Sequence, residues 1–101
     1  MADAATSPIQ AETADVTVRL PPPLLALFPG AERETLVRAA TVGEMIGALE
    51  ARWPGMKGRL TEPGPRIRRN INVWIDGRRA KIDTAIAPGT TVTIMTAICG
   101  G

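Results

Sequence analysis

The apolar positions change their period several times along the chain, and each change marks an element. Val16-Thr17-Val18-Arg19-Leu20 alternates apolar with polar residues, the pattern of a strand with one buried face. Pro21-Pro22-Pro23 stops it, because three successive residues lack the N–H that a ladder needs. Leu24, Leu25, Leu27 and Phe28 follow as an apolar loop, closed by a Pro29-Gly30 turn. Residues 33–39 (RETLVRA) predict a second strand that makes a hairpin with the first.

The period then lengthens. Thr41-Val42-Gly43-Glu44 matches a capping box, in which the threonine accepts from the third helical N–H and the glutamate reaches back. Val42, Met45, Ile46, Leu49 and Trp53 fall on one helical face, which assigns Met45 and Trp53 to the core. Pro54-Gly55 ends the helix. Residues 54–69, with PGMKG and EPGP, predict an irregular crossover. Ile71-Asn72-Val73-Trp74-Ile75 alternates again and enters Asp76-Gly77, a two-residue hairpin signal. Arg78 to Ile82 is then the short return strand. Ala87-Pro88-Gly89-Thr90 suits a type II turn, and Thr91 to Met95 form the last strand.

The order is strand, strand, helix, strand, short strand, strand. This predicts an α+β roll with one main helix on one sheet face and the other face open. Residues 1–15, rich in Ala and Thr, are expected to be a flexible tail. Residues 16–96 are expected to form the domain, and residues 97–101 an extended C-terminal tail.

Side-chain alternation sharpens the open face. With Ile71, Val73 and Ile75 toward the helix, Asn72 and Trp74 point outward; with Val92 and Ile94 inward, Thr91, Thr93 and Met95 point outward. Trp74, Met95 and Thr93, with Ile98 in the tail, are therefore the candidate partner-binding residues, an aromatic being a common hot spot. The competing expectation is that the chain itself covers Trp74, the Pro-rich loop being the candidate cover.

Composition narrows the chemistry. The chain has 101 residues, 45% hydrophobic and 22% charged, which suits one globular domain. It contains no histidine or tyrosine, one cysteine (Cys99) and one serine (Ser7). Such an inventory cannot supply a Cys/His zinc site, a Ser-His-Asp triad or a Cys-His pair. No apolar run reaches the ~18 residues of a membrane span. No secretory pattern opens the chain, so a cytoplasmic location is expected.

Charge is uneven: residues 1–15 carry −3 and residues 16–101 carry +5. The basic cluster Arg66, Arg68, Arg69, Arg78, Arg79 and Lys81 reads first as a solvated face and second as a docking surface for acidic partners. Nucleic-acid binding ranks third, because only Trp74 looks free to stack on a base.

With side-chain catalysis excluded, the main-chain carboxyl of Gly101 becomes the candidate reactive group. Gly100-Gly101 is thin enough to thread a narrow channel. A carboxylate is ionised at neutral pH and a poor electrophile, so it must be activated, for example as an acyl-adenylate. Attack by sulfide or persulfide then leads to a thiocarboxylate.

The strand and turn INVWIDG at 71–77, the PGTTVTI segment at 88–94 and the Gly-Gly end together resemble the ubiquitin-like sulfur carriers. These include the molybdopterin synthase small subunit, the thiamine-pathway carrier, and relatives serving cysteine or natural-product synthesis. The resemblance covers residues 16–101 and implies a β-grasp fold. It implies that Gly101 is the glycine adenylated and thiocarboxylated, with Gly100 and Cys99 threading beside it. It further implies a non-catalytic protein that binds no cofactor, and a ubiquitin-activating-type adenylating partner that uses ATP and magnesium. A sulfur donor and a downstream sulfur-accepting synthase complete the implied partners.

Three features depart from the family pattern: the 15-residue lead, the long crossover at 54–69, and Cys99 where alanine or glycine is usual. Cys99 reads either as a small apolar residue or as a thiol able to trap the nearby carboxyl through proximity. Two alternatives to the carrier stand beside it. One is a ubiquitin-like modifier joined through Gly101 to a lysine amine. The other is a basic nucleic-acid-binding module.

Overall fold

The computed structural model describes residues 14–96. In chain order the elements are β1 (Ala14–Arg19), α1 (Pro22–Leu27), β2 (Glu34–Ala39), α2 (Val42–Arg52) and α3 (Met56–Leu60). Then come β3 (Thr61–Glu62), β4 (Arg66–Ile67), β5 (Ile71–Ile75), β6 (Arg78–Arg79) and β7 (Thr91–Thr96). Five strands form a mixed sheet in the order β2-β1-β7-β5-β6, while β3 and β4 make a separate two-stranded ribbon. The hairpin β1–β2 is antiparallel, pairing Arg19 with Glu34. The last strand enters the centre, parallel to β1 (Thr17 opposite Thr91) and antiparallel to β5 (Trp74 opposite Thr93).

Alternation along the strands builds one apolar face. Val16, Val18, Val37, Val73, Val92 and Ile94 are buried there against Met45, Ile46 and Leu49 of α2 and Met56 and Leu60 of α3. At ~25 cal/mol per Å² of apolar surface, this common core is the main favourable term in folding. Helix α2 starts where the capping box placed it. The Thr41 hydroxyl accepts from Glu44 N at 3.2 Å, and the Glu44 carboxylate accepts from Ala40 N at 2.9 Å, one residue earlier than the motif's usual donor. Trp53 caps the far end, half-buried against the core, with its N–H donating to Leu49 O at 2.8 Å.

Four expectations need correction. The apolar stretch after the prolines is the short helix α1, not a loop. Proline is disfavoured within a strand but preset for the first helical turn, where its missing N–H has no partner to lose. This buries Leu24. The crossover at 54–69 is not irregular throughout. Gly55, at φ +102°, turns the chain into α3, and the Glu50 carboxylate accepts from Gly55 N (3.1 Å) and Lys57 N (2.8 Å). Those bonds hold the Glu50 pKa below its ordinary value, the one to Lys57 N having the larger effect.

The return strand is also shorter than Arg78–Ile82. Ala80 N still donates to Val73 O, after which the chain leaves the sheet to serve α2. Ile82 O accepts from Gly43 N at 2.8 Å and Thr84 O from Val42 N at 3.0 Å, satisfying first-turn donors of that helix. Gly43 permits this approach, since a Cβ there would lie 3.2 Å from Ile82 O. Finally, β1 begins at Ala14, so Ala14 and Asp15 belong to the sheet; the rest of the expected N-terminal tail lies outside the described residues.

The two turn expectations hold. Asp76 and Gly77 take φ of +52° and +79°, as a type I′ hairpin requires, and Gly89 takes +78° in the turn before β7.

Candidate functional site

The sheet face away from α2 carries the candidate residues in rows fixed by strand register. One row runs Glu34, Arg19, Thr93, Trp74, Arg79 across all five strands. Met95 stands opposite Asn72, one pleat further along β7. Trp74, Thr93 and Met95 therefore share a face, as the alternation predicts. Met95 is 49% exposed, whereas Trp74 and Thr93 are half-buried.

Trp74 is covered by its own chain, but the cover is Arg79 rather than the Pro-rich segment. The guanidinium lies 5.7 Å from the indole centroid, within cation–π range. The cross-strand pair explains the contact, since Arg79 sits directly opposite Trp74. The sequence carried the signal in the two-residue turn, which sets this register, though it gave Arg79 no place in the site. A planar cation on the indole leaves the patch amphipathic: a ring edge and a thioether beside a positive charge.

The Pro-rich segment instead borders a groove of about 830 Å³ at the C-terminal end of β7. It is lined by Pro21 to Pro23, by Arg19 and Glu34, which form an ion pair (2.8 Å), and by Thr93, Met95 and Thr96. Thr96, which lines this groove, is the last described residue. Four candidate residues, Ile98, Cys99, Gly100 and Gly101, lie outside the described residues.

The basic residues do not form one uniform patch. A second groove, of about 450 Å³, is lined by Arg66, Arg68, Arg69, Arg79 and Lys81 with Asp83. Several of these cations are already engaged: Arg66 Nε bonds Glu62 at 2.8 Å, Arg68 Nε donates to Gly58 O at 2.8 Å, and Arg79 covers Trp74. Among the described residues no cluster of His, Cys, Asp or Glu could hold a metal ion, and no helix is long and apolar enough to cross a membrane.

The chain is similar to small sulfur carriers and to small archaeal modifier proteins. The chain is 31% identical over 93 residues to the sulfur carrier protein CysO of Mycobacterium tuberculosis, covering 86% of this chain and 99% of that protein. It is 35% identical over 66 residues to small archaeal modifier protein 3 of Haloferax volcanii, covering 61% of this chain and 71% of that one. In three dimensions it matches a chain of the Amycolatopsis orientalis BexX/CysO complex with a TM-score of 0.74 and 32% identity. That match covers 85% of this chain and 99% of the other. The mixed sheet with its packed helix is thus the β-grasp fold. The ThiS family model matches residues 26–101, three-quarters of the sequence and every strand of the sheet but β1, and the chain belongs to the ThiS family.

Proposed function

We propose that this protein is a sulfur carrier whose reactive group is the main-chain carboxyl of Gly101. The observation that carries the reading is the family match running through to Gly101, over a chain that also aligns with nearly the full length of CysO. The residue inventory supports it, since the sequence has no histidine and only one cysteine and one serine.

The chemistry belongs to partners acting on the carboxyl. An adenylating enzyme uses ATP and magnesium: a Gly101 carboxylate oxygen attacks the α-phosphorus and pyrophosphate leaves. Hydrosulfide from a donor then attacks the acyl carbon, and AMP leaves with the oxygen, giving the thiocarboxylate. On a sulfur-accepting synthase the thiocarboxylate sulfur bonds to the acceptor, and water then cleaves the acyl–sulfur bond, leaving the sulfur on the acceptor and returning the Gly101 carboxylate. This chain contributes a narrow end and a docking face. The amphipathic patch of Trp74, Arg79 and Met95 adjoins the groove at the end of β7, with Met95 common to both, and both can meet one partner.

The similarity to an archaeal modifier protein favours a second reading, in which an amine replaces hydrosulfide and Gly101 ends in an isopeptide bond. Intact-mass measurement on protein purified from cells separates them. The carrier reading expects one oxygen replaced by sulfur on the free chain, lost when Gly100-Gly101 is deleted. Lysine-linked conjugates with no sulfur-bearing free chain overturn it in favour of the modifier.

A further inference from the structure

Strand β2 forms one edge of the sheet, and its backbone direction is fixed by the bonds around it. Leu20 N donates to Arg33 O, so residues 33, 35, 37 and 39 direct their backbone groups toward β1. The intervening residues Glu34, Leu36 and Arg38 direct theirs outward. Two independent contacts agree: Leu36 O accepts from Arg52 at 3.0 Å, and Ala40 turns both its N–H and its C=O away from β1. The same three residues place their side chains on the open face, and Leu36 is 57% exposed, the most exposed large apolar residue among those described.

The triplet is symmetric about Leu36, with an acid two residues before it and a base two residues after. Turn a second copy end for end against it, and Leu36 meets Leu36 while each Glu34, still paired with Arg19, meets an Arg38 beside its own Asp15, so that charges of opposite sign alternate along the row. All outward donors and acceptors of the triplet then pair in one register. Slipping by one residue sets outward groups against inward ones, and slipping by two breaks the charge match.

We infer that β2 is a self-pairing edge, along which two copies of this chain join antiparallel with Leu36 opposite Leu36. The charge complementarity selects a second copy over an arbitrary strand. Arg52 regulates the contact. Its guanidinium reaches over the edge from α2, donating to Thr35 Oγ1 and Leu36 O, and it must release the carbonyl before a strand can bond there. This is one way proteins guard an exposed edge. Both sheets then run on as one, with the open faces on the same side, so each protomer keeps its Trp74–Met95 patch and its C-terminal groove accessible. The contact is small and therefore weak, since stable interfaces bury more than three paired residues provide.

Sedimentation velocity over a protein concentration series, on the full chain, tests this. The wild type is expected to associate reversibly at high concentration, and Arg52→Ala to do so at about tenfold lower concentration. Glu34→Arg alone and Arg38→Glu alone are each expected to lose association, because like charges then face each other across the two-fold axis. Mixed together, the two variants restore both opposite-charge pairs and are expected to associate at least as well as wild type. The mixture also controls for misfolding, which mixing does not repair. Wild type and Arg52→Ala both remaining monomeric overturns the proposal, as does association that ignores the reversals or fails to return in the mixture.

Discussion

The two faces of the sheet are made from alternate residues of the same strands, yet they are built to different specifications. On the helix side, Val16, Val18, Val37, Val73, Val92 and Ile94 are at most 5% exposed. They are aliphatic, branched and without a polar atom to satisfy. On the open side the same strands carry Thr17, Leu36, Thr93, Trp74 and Met95, interrupted by the Arg19–Glu34 pair. The first face is saturated with intramolecular contacts. The second keeps apolar surface in reserve but breaks it with hydroxyls and charge, which suits a surface that is wet when the protein is alone and dry when it is bound. Stability and recognition are therefore separable by substitution.

The strongest way to break that separation is on the covered side. Leu49→Ala leaves a cavity between α2 and the sheet and is expected to cost about 2–5 kcal/mol, read from a urea or thermal transition. Thr41→Ala removes the hydroxyl that accepts from Glu44 N and is expected to cost about 1 kcal/mol by the same measurement. On the open side the order of effects reverses. Met95→Ala is expected to change stability by no more than about 0.5 kcal/mol. It should nevertheless weaken binding to the adenylating enzyme proposed as a partner, measured by calorimetry. A large fall in melting temperature for this variant would show that the open face is structural after all.

The smallest expected effect lies at Glu50, near the end of α2. Its pKa is lowered in the folded state by the Lys57 and Gly55 backbone bonds. A lowered carboxyl pKa stabilises the fold at pH above the ordinary carboxylate range. That contribution is lost as pH falls through the folded-state value. Wild type should therefore lose slightly more stability than Glu50→Gln between neutral and strongly acid pH, with any difference confined to the acid limb.

The same contrast explains what was legible in the sequence. Periodicity reports which side of a strand or helix is apolar, so the inward positions of β5 and β7 and the face of α2 could be read directly. Turn chemistry reports backbone conformation, so Asp76-Gly77 and Gly89 were legible too. What escaped were elements held by contacts distant in sequence. Ala80-Lys81-Ile82 alternate as the end of the expected return strand, but the chain there is drawn off to satisfy donors on α2. The α1 segment has no helical period to display in six residues, and only its prolines could have marked its start. At the candidate site, outward placement of Trp74 and Met95 followed from alternation alone. The Asp76-Gly77 turn also fixed Arg79 opposite Trp74, but that a guanidinium would stack on the indole is a side-chain contact that periodicity does not report.

The position of β7 has a mechanical consequence. It is the strand from which the chain proceeds to Gly101, and it lies between β1 and β5, bonded on both sides. A partner that grips and pulls the C-terminal segment loads β7 along its own axis, with β1 parallel beside it. Force applied in that direction shears the ladder bonds together instead of peeling them one at a time. The domain is thus braced against traction from the end that its partners are expected to handle, and a channel can draw on that end without unravelling the fold behind it.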